Sequence, residues 1–425
     1  MKAVLQNLAS VVGGEAAVRV ANFVMVLFMA RAYGGATLGA YTATLAVVTV
    51  VTMCADNGMQ TIAITQVTSS PGSGRNQVVG RLTLCKFLLL AAAATILAVV
   101  GIAARQGALF LAIGFWITLR AILQSFSQLQ MAFLKSISKA KWVGTIQALH
   151  SALLLLGIWL AFRYDRGVFA LLQWFAGCQL LELLLGALLL YQNGVWPRWP
   201  ARLQFVAIVK MAAPFGIAYG LANLIVRADT IVLSLFATLA EVGAFSAANT
   251  VLLMVYVSSW LFGSILLPEM VGISGPPEKV RLYANRWARW VLLVTVPCAL
   301  IVSTAAPRAI VLLYGSAFAA SGTLGSVMAL ACPLILLNAI YTTLIVATNN
   351  RAALLTIYGL GAVLTVGLDL FLGHAFGSLG IASALVVREA GMLFALWAVA
   401  SYLPSRRLNY GSHLLQEGIE SNPPA

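Results

Sequence analysis

The feature that most constrains this chain is the recurrence of apolar runs about twenty residues long. Runs such as Phe87 to Ala104 and Val291 to Ala306 contain no charged residue. A helix of about 20 apolar residues crosses the hydrocarbon core of a bilayer, whereas the strands of a membrane barrel alternate apolar and polar residues. The chain is therefore predicted to be a polytopic membrane protein made of helices.

The overall composition excludes a soluble globular protein. Hydrophobic residues make up 61% of the 425 residues and charged residues only 9%, against roughly 25% charged residues in soluble domains. A soluble protein this apolar would lack the polar surface to cover its core.

Apolar runs between polar breaks give twelve candidate transmembrane helices, so the predicted fold class is an all-α polytopic membrane protein. Their expected spans are 11–33, 38–64, 82–103, 107–132, 142–162, 167–192, 207–237, 242–268, 287–307, 320–345, 353–373 and 378–402. The first span is interrupted by Glu15 and Arg19 and lacks a cleavage pattern, so we expect a retained helix and not a signal peptide.

The positive charges are distributed unevenly between the two sides of this arrangement. Sixteen of the 26 Lys and Arg residues fall in loops on the side of the termini and five in the opposite loops. The positive-inside rule then places both termini in the cytoplasm. The net charge of +14 is mostly topological, and nucleic acid is not an expected partner.

The predicted domain organisation has two lobes of six helices each. The lobes cover residues 1–192 and 207–403, a cytoplasmic connector covers 193–206, and a polar tail covers 404–425. The longest loops, about 65–81, 193–206 and 269–286, are too short to hold a soluble domain.

Two segments of the chain align at an offset of 204 residues. Leu38-Gly39-Ala40-Tyr41-Thr42 matches Val242-Gly243-Ala244-Phe245-Ser246, and each segment begins the second helix of its lobe. This pattern indicates two parallel repeats, as in transporters with two rocking lobes. The alternative is that Gly-Ala-aromatic is a common way to begin a membrane helix rich in small residues.

The same residues resemble a known family. Ala30-Arg31-Ala32-Tyr33-Gly34 before Leu38-Gly39-Ala40-Tyr41 is similar to the first-loop signature of the polysaccharide transporter branch of the multidrug/oligosaccharidyl-lipid/polysaccharide (MOP) exporter superfamily. Arg227-Ala228-Asp229, Leu313-Tyr314-Gly315 and Gly377-Ser378-Leu379-Gly380 are similar to later parts of its pattern, and the likeness runs from about Arg19 to Tyr402. Members often have an Asn-rich stretch in the eleventh helix, where this chain has Val366-Gly367-Leu368-Asp369.

The resemblance implies the MATE-like MOP flippase fold, with two six-helix lobes around a central cavity. It also implies an oligosaccharide flippase that moves undecaprenyl-pyrophosphate-linked oligosaccharide across the bacterial inner membrane for O-antigen, lipopolysaccharide or exopolysaccharide biosynthesis. The expected partners are the lipid-linked oligosaccharide, membrane lipids and other envelope polysaccharide assembly proteins.

Ionisable groups inside a bilayer cost at least about 2.5 kcal/mol each, so those present are candidates for function. On the first helix, Glu15, Arg19 and Asn22 share one face. Arg19 is a candidate phosphate ligand and Glu15 a candidate gating or ion-coupling group. The alternative is an ordinary ion pair between Glu15 and Arg19.

A polar stripe follows the fourth helix and is expected to face water. It contains Arg120, Gln124, Ser127, Gln128 and Met131. Arg120 and Gln124 are therefore predicted to line the substrate cavity.

On the seventh helix, Asn223 and Arg227 lie four residues apart, with Asp229 just beyond. The planar fork of Arg227 suits a pyrophosphate, and Asn223 is expected beside it in the cavity. The alternative is a salt bridge from Arg227 to Asp229 or to the other lobe, which would close the periplasmic gate. Asp229 is accordingly a candidate gating residue.

Five further charged residues lie within predicted spans. Arg388 is adjacent to Glu389, so the two side chains should point apart and leave Arg388 free to line the cavity. Asp56 is a candidate for gating or capping, and Glu182 is an isolated carboxylate and candidate proton site. Lys86 lies near a helix end and is expected to extend toward the membrane surface.

The sequence leaves three alternative functions open. A multidrug exporter of the same superfamily would need carboxylates for cationic drugs, whereas the charges within these spans favour Arg. A membrane polymerase, ligase or acyltransferase would need a catalytic cluster, and the chain has only three His and no long loop. A non-transporting scaffold is the third. No enzyme activity, metal or other cofactor is expected, because the five cysteines lack metal-ligand spacing and no P-loop is present.

Overall fold

The computed structural model describes residues 2–56, 58–70, 73–103, 108–198, 205–273, 277–348 and 350–402. Residues 199–204 of the expected connector and the whole expected tail, 404–425, lie outside the described residues.

The described residues form α-helices and one short 3₁₀ turn. The helices are α1 Lys2–Asp56, α2 Met59–Ser69, α3 Ser73–Ala103, α4 Ala108–Ser136, α5 Ala140–Arg163, α6 Val168–Gln192, α7 Phe205–Phe236, α8 Leu239–Gly272, α9 Pro277–Tyr314, α10 Ala319–Ala329, α11 Cys332–Ala347 and α12 Arg351–Ser401, with the 3₁₀ turn at Ser316–Phe318. The prediction of an all-α membrane protein is confirmed.

Two of these helices are each divided into two segments by a kink at a glycine. Gly34 in α1 has φ 80° and ψ 174°, and Gly377 in α12 has φ 61° and ψ −142°. Glycine adopts positive φ without the penalty that a Cβ imposes. Each kink therefore joins two membrane helices into one continuous element, at the breaks predicted after residues 33 and 373.

The number of crossings follows from these kinks. Nine stretches of the described chain are long and apolar enough to cross a membrane, and two of them, Ser10–Ser69 and Ala352–Ser401, are 60 and 50 residues long. Each of those two holds a pair of helices, and α7 adds a further 32-residue helix. With α7 counted as a crossing, the described residues agree with the predicted number of about twelve helices.

Several helix boundaries differ from the prediction, since the predicted span 38–64 is divided between α1 and α2 and the predicted span 320–345 between α10 and α11. The helices α3 and α9 begin at Ser73 and Pro277, well before the predicted residues 82 and 287. Each helix begins with polar residues such as Asn76 and Arg281. A prediction based on apolar runs excludes these residues, although the backbone there is already helical. The predicted loops 65–81 and 269–286 are consequently mostly helix.

The bundle has two ends, which we name by their residues. The terminal face is the end where α1 begins and α12 ends, and there Ser10 Oγ donates to Lys141 O at 3.0 Å and Arg281 Nη1 donates to Ser401 O at 3.0 Å. The distal face is the end that carries the kinks at Gly34 and Gly377.

The apolar core differs between these ends. Near the distal face a single cluster contains buried residues from both halves of the chain, among them Met29, Tyr41, Phe245 and Tyr314. Toward the terminal face there are two separate clusters, one from α8, α9, α11 and α12 and the other from the N-terminal half together with the start of α7. The two halves are thus joined most firmly at the distal face.

Candidate functional site

At the distal face the two repeat segments cross each other. Ser246 Oγ donates to Thr42 Oγ1 at 2.8 Å, and the two residues are 204 positions apart. A Cβ on Gly39 would collide with the carbonyl oxygen of Leu239. Equivalent residues of the two halves therefore meet across an approximate two-fold axis, as in an isologous interface.

The crossing is reciprocal, because a Cβ on Gly243 would collide with the carbonyl oxygen of Gly35 in the same way. Arg31 adds a further contact between the halves by donating from Nη2 to Leu312 O at 2.5 Å. The crossing and this hydrogen bond close the distal face between the two halves.

A polar cavity of about 180 Å³ lies within the N-terminal half, between α1, α2, α4, α5 and α6. Its ionisable lining residues are Glu15, Arg120, Lys135, His150 and Glu182. Its amide lining residues are Asn22, Gln60, Gln124, Gln128, Gln147 and Gln179. Such a lining can bind a hydrated, hydrogen-bonding ligand and cannot be satisfied by lipid tails.

The polar stripe on α4 forms one wall of this cavity. Arg120, Gln124, Gln128 and Met131 line it, whereas Ser127 is buried and accepts from Gln179 Nε2 at 3.2 Å. Arg120 lies near the middle of α4 and Lys135 in its last turn, so the wall is about 22 Å long at 1.5 Å per residue.

Arg120 has only neutral partners. Its Nη1 donates to Tyr41 Oη at 3.3 Å, its Nη2 donates to Asn22 Oδ1 at 3.2 Å, and the guanidinium lies 5.7 Å from the centre of the Phe175 ring. None of the ion pairs among the described residues involves Arg120. A cation in the membrane interior without a direct ion-pair partner can bind an anionic ligand.

Arg227 belongs to the other half of the chain. It lies on α7 and is half-buried. Asn223, one turn earlier, is also half-buried. Arg227 and Asn223 thus lie on the C-terminal half of the chain, outside the lining of the polar cavity.

Arg19 and Glu15 are not paired with each other. The ion pairs of the described chain do not include either residue, so the alternative of an ordinary helix pair is wrong for this conformation. Glu15 lines the cavity, and Arg19 is exposed on α1 outside its lining.

Asp56 belongs to a buried network that reaches the cavity. It pairs with Lys86, which is 0% exposed, and accepts from Ser125 Oγ at 3.3 Å and Gln60 Nε2 at 3.4 Å. Gln60 Nε2 is also 3.0 Å from Gln128 Oε1 in the cavity wall. The expectation that Lys86 extends to the membrane surface is wrong, because a carboxylate holds its ammonium group inside the N-terminal half.

Arg388 lies in a buried cluster of the C-terminal half and is 1% exposed. Its Nη1 is 2.7 Å from Asp229 Oδ1, its Nε is 3.2 Å from Glu389 Oε1, and its Nη2 is 2.9 Å from Tyr256 Oη. The expectation that Arg388 points away from Glu389 into the cavity is wrong. The long Arg388 side chain can bend back toward the adjacent Glu389, because a buried guanidinium is stabilised by a nearby carboxylate.

The structure gives this cluster one further member. The carboxyl group of Asp369 contacts that of Asp229, so Asp229 lies between an arginine and a second carboxyl group. Asp229 consequently pairs with Arg388 and not with Arg227, contrary to the alternative that the sequence left open.

Sequence reasoning missed a histidine in the cavity. His150 is 4% exposed on α5, and its Nδ1 lies 3.0 Å from Glu182 Oε2. Glu182 Oε2 also accepts from Gln179 Nε2 at 2.9 Å, so the expectation that Glu182 is isolated is wrong. The spacing of Gln147 and His150 on an otherwise apolar helix is the signal that could have indicated it.

Several solved structures have a similar fold. The lipid II flippase MurJ in its inward closed conformation matches with a TM-score of 0.78 at 13% identity, covering 94% of this chain and 88% of that one. A MOP superfamily transporter from Pyrococcus furiosus matches with a TM-score of 0.64 at 14% identity, covering 94% of each chain. An outward-facing multidrug resistance MATE family transporter matches with a TM-score of 0.64 at 12% identity, covering 94% of this chain and 95% of that one.

No functionally characterised protein matches the chain by sequence comparison. The sequence model of the polysaccharide biosynthesis protein family matches residues 28–323, which is more than half of the chain. The chain has the fold of the solved MOP flippases and transporters, and it belongs to the polysaccharide biosynthesis protein family.

Proposed function

We propose that this protein is a flippase that moves undecaprenyl-pyrophosphate-linked oligosaccharide from the cytoplasmic to the periplasmic leaflet for surface polysaccharide biosynthesis. The family supports a role in polysaccharide biosynthesis, and the fold is that of MOP superfamily flippases and transporters. The product would be O-antigen, other lipopolysaccharide or exopolysaccharide. The protein would act without a cofactor and would not itself be an enzyme.

The observation that carries the proposal is the combination of Arg120 with an amide-rich cavity. A pyrophosphate cannot enter hydrocarbon unless its charge is offset, and Arg120 has no carboxylate partner of its own. The six amide side chains of the cavity can donate to and accept from sugar hydroxyl groups. Gln124 belongs to this amide set.

Arg227, Asn223 and Arg19 are further proposed ligands. Arg227 is a half-buried cation of the second half of the chain, and we propose that it receives the anion when the lobes rearrange. Asn223 lies one turn from Arg227, and Arg19 is exposed on the helix that carries Glu15. Arg388 is left out of this set because its charge is offset by Asp229 and Glu389.

The cycle that we propose is alternating access. Residues 1–192 and 207–403 would rock as two lobes, and the crossing at Gly39 and Gly243 would separate to open the distal face. We propose that four carboxylates gate this change or couple it to an ion: Asp56, Asp229, Glu15 and Glu182. The excess of positive charge on loops of the terminal face supports a cytoplasmic location for both termini in the bacterial inner membrane.

The proposal is tested by reconstituting the protein in proteoliposomes with a fluorescent undecaprenyl-pyrophosphate oligosaccharide and measuring its translocation. Arg120→Gln keeps a polar side chain but removes the charge, and we expect at least a tenfold loss of rate, as for one charged interaction of about 1.4 kcal/mol. Arg308→Gln is the matched control, because Arg308 is exposed on α9 outside the cavity lining.

Equal rates for the wild type and Arg120→Gln would contradict the role of Arg120. A wild-type protein that binds the lipid but never translocates it would contradict the flippase proposal and favour a scaffold. Size-exclusion profiles of all variants establish that a loss of rate is not a loss of folding.

A multidrug exporter is the second candidate, and one observation favours it. Glu15 and Glu182 place two carboxylates in the cavity, which is the charge that a cationic drug requires. Export of a cationic dye from the same proteoliposomes, abolished by Glu182→Gln but not by Arg120→Gln, would support this alternative over the flippase.

A further inference from the structure

The permanent positive and negative charges that line the cavity are equal in number, and one further ionisable side chain remains. Glu15 on α1 and Glu182 on α6 carry two negative charges, whereas Arg120 and Lys135 on α4 carry two positive charges. The fifth ionisable lining residue is His150 on α5, and the α2 lining residues, Gln60 and Ile64, are uncharged. The protonation of His150 therefore decides whether the cavity is neutral or carries one net positive charge.

His150 is placed to take up that proton. Histidine is the side-chain type that ordinarily gains or loses a proton between pH 5 and pH 8. The ring is 4% exposed, and its Nδ1 lies 3.0 Å from Glu182 Oε2, which is an ion-pair distance. The orientation does not meet the geometry of a hydrogen bond, and Nδ1 has no other partner. The pair is a charge contact whose strength depends on the proton.

The carboxylate of Glu182 is held in position for this contact. Gln179 Nε2 donates to Glu182 Oε2 at 2.9 Å and lies 3.2 Å from Ser127 Oγ. This chain of contacts joins α6 to α4 behind the cavity wall. Arg120, on the same wall, has only the neutral partners Asn22 and Tyr41.

We propose that His150 and Glu182 form a proton-binding site that sets the charge of the cavity and thereby its affinity for an anionic phosphate head group. With the proton bound, the cavity carries a net positive charge and holds the anion at Arg120. Without the proton, the cavity is neutral and the anion is released. Proton uptake and anion binding are thus coupled within the N-terminal half, and by linkage each promotes the other. This inference rests on the proposed function, which makes the cavity the head-group site.

The test is a binding titration of the full-length purified protein with a fluorescent short-chain polyprenyl pyrophosphate between pH 6 and pH 8. We expect the wild-type affinity to be about tenfold higher at pH 6 than the affinity of His150→Gln, which corresponds to about 1.4 kcal/mol for one added positive charge. At pH 8 the two should agree. The probe itself titrates near pH 6, but it does so equally with every variant.

Two further variants make the result specific. Glu182→Gln removes a negative charge at every pH, so it should bind the probe several-fold more tightly than the wild type at pH 8. His374→Gln is the matched control, because His374 is exposed on α12 away from the cavity lining, and its pH profile should equal that of the wild type.

A wild-type pH profile in His150→Gln would overturn the inference, and so would the absence of probe binding at any pH. A pH-independent affinity together with active translocation of the lipid-linked oligosaccharide would overturn the proton site while the flippase stands. A pH-dependent affinity that needs His150, in a protein that never translocates lipid, would support the proton site and contradict the flippase. The two proposals can therefore fail separately.

Discussion

At the scale of single residues, the buried charges of this protein fall into two kinds. Arg388 and Lys86 are matched by carboxylates within their own halves of the chain. Arg120 has only a tyrosine, an amide and an aromatic ring around it. A matched buried charge holds helices together, whereas an unmatched one keeps its attraction for a ligand. Residue type alone does not distinguish the two kinds.

The pair of Lys86 and Asp56 gives a prediction for stability. Lys86→Met leaves the Asp56 carboxylate buried without its counter-charge, and we expect the free energy of unfolding to fall by about 3–5 kcal/mol. The double variant Lys86→Met with Asp56→Asn should recover most of this loss, because no charge is then left unpaired. The measurement is unfolding of the detergent-solubilised protein.

The control for this prediction is Lys139→Met, since Lys139 is exposed in the turn before α5. It should change the free energy of unfolding by less than about 0.5 kcal/mol. Equal stability of Lys86→Met and the wild type would show that the ion pair contributes nothing.

At the scale of secondary-structure elements, two glycines let α1 and α8 touch along their backbones. Gly39 and Gly243 each leave room for a carbonyl oxygen of the other helix. The Thr238 and Glu241 capping box fixes where α8 begins, with Glu241 N donating to Thr238 Oγ1 at 3.3 Å and Thr238 N donating to Glu241 Oε2 at 2.9 Å. A defined helix start keeps Gly243 in register with Gly35.

This contact predicts different effects for two neighbouring glycines. A Cβ at Gly39 would collide with the Leu239 carbonyl, whereas a Cβ at Gly35 would lie 3.5 Å from the Ala240 carbonyl oxygen, an ordinary contact. We expect Gly39→Ala to lower the free energy of unfolding by about 1–3 kcal/mol. Gly35→Ala should be neutral within about 0.5 kcal/mol.

Thermal unfolding of the two variants in the same detergent compares them directly. Similar stabilities would mean that the helices separate at no cost, and that the close approach of α1 to α8 does not stabilise this conformation.

At the scale of the whole molecule, the distal crossing joins two halves whose cores separate toward the terminal face. An alternating-access cycle requires this crossing to open. Thr42 and Ser246 lie at its centre, with their hydroxyl oxygens 2.8 Å apart. A covalent bond at this position should lock the distal face closed.

The test uses the double variant Thr42→Cys with Ser246→Cys in a background without the five native cysteines. We expect its oxidation to lower the translocation rate at least tenfold. Reduction of the disulfide should restore the rate. Either cysteine alone is the control and should be insensitive to oxidation. Undiminished translocation by the fully cross-linked protein would contradict opening at this crossing.

The sequence by itself determined the class of the protein, its number of about twelve helices and the breaks at which α1 and α12 kink. Each of these depends on local properties of the chain. The length of an apolar run must match the thickness of the bilayer, and glycine adopts backbone conformations that other residues avoid. The polar stripe of Arg120 and Gln128 could likewise be predicted, because a helix places residues four apart on one face. The starts of α3 and α9 could not, because their first turns are polar.

Only the tertiary structure decided which charges meet. Arg388 reaches Asp229, 159 residues away, and Lys86 reaches Asp56, 30 residues away. His150 acquires a role only beside Glu182 on the next helix. Such pairings depend on how the helices rotate and pack against each other, and the sequence of a single helix does not determine this. A buried charged side chain is stabilised by pairing with an opposite charge that the packing places nearby. The spans of this protein are therefore local properties of its sequence, whereas its charge network is a property of the folded bundle.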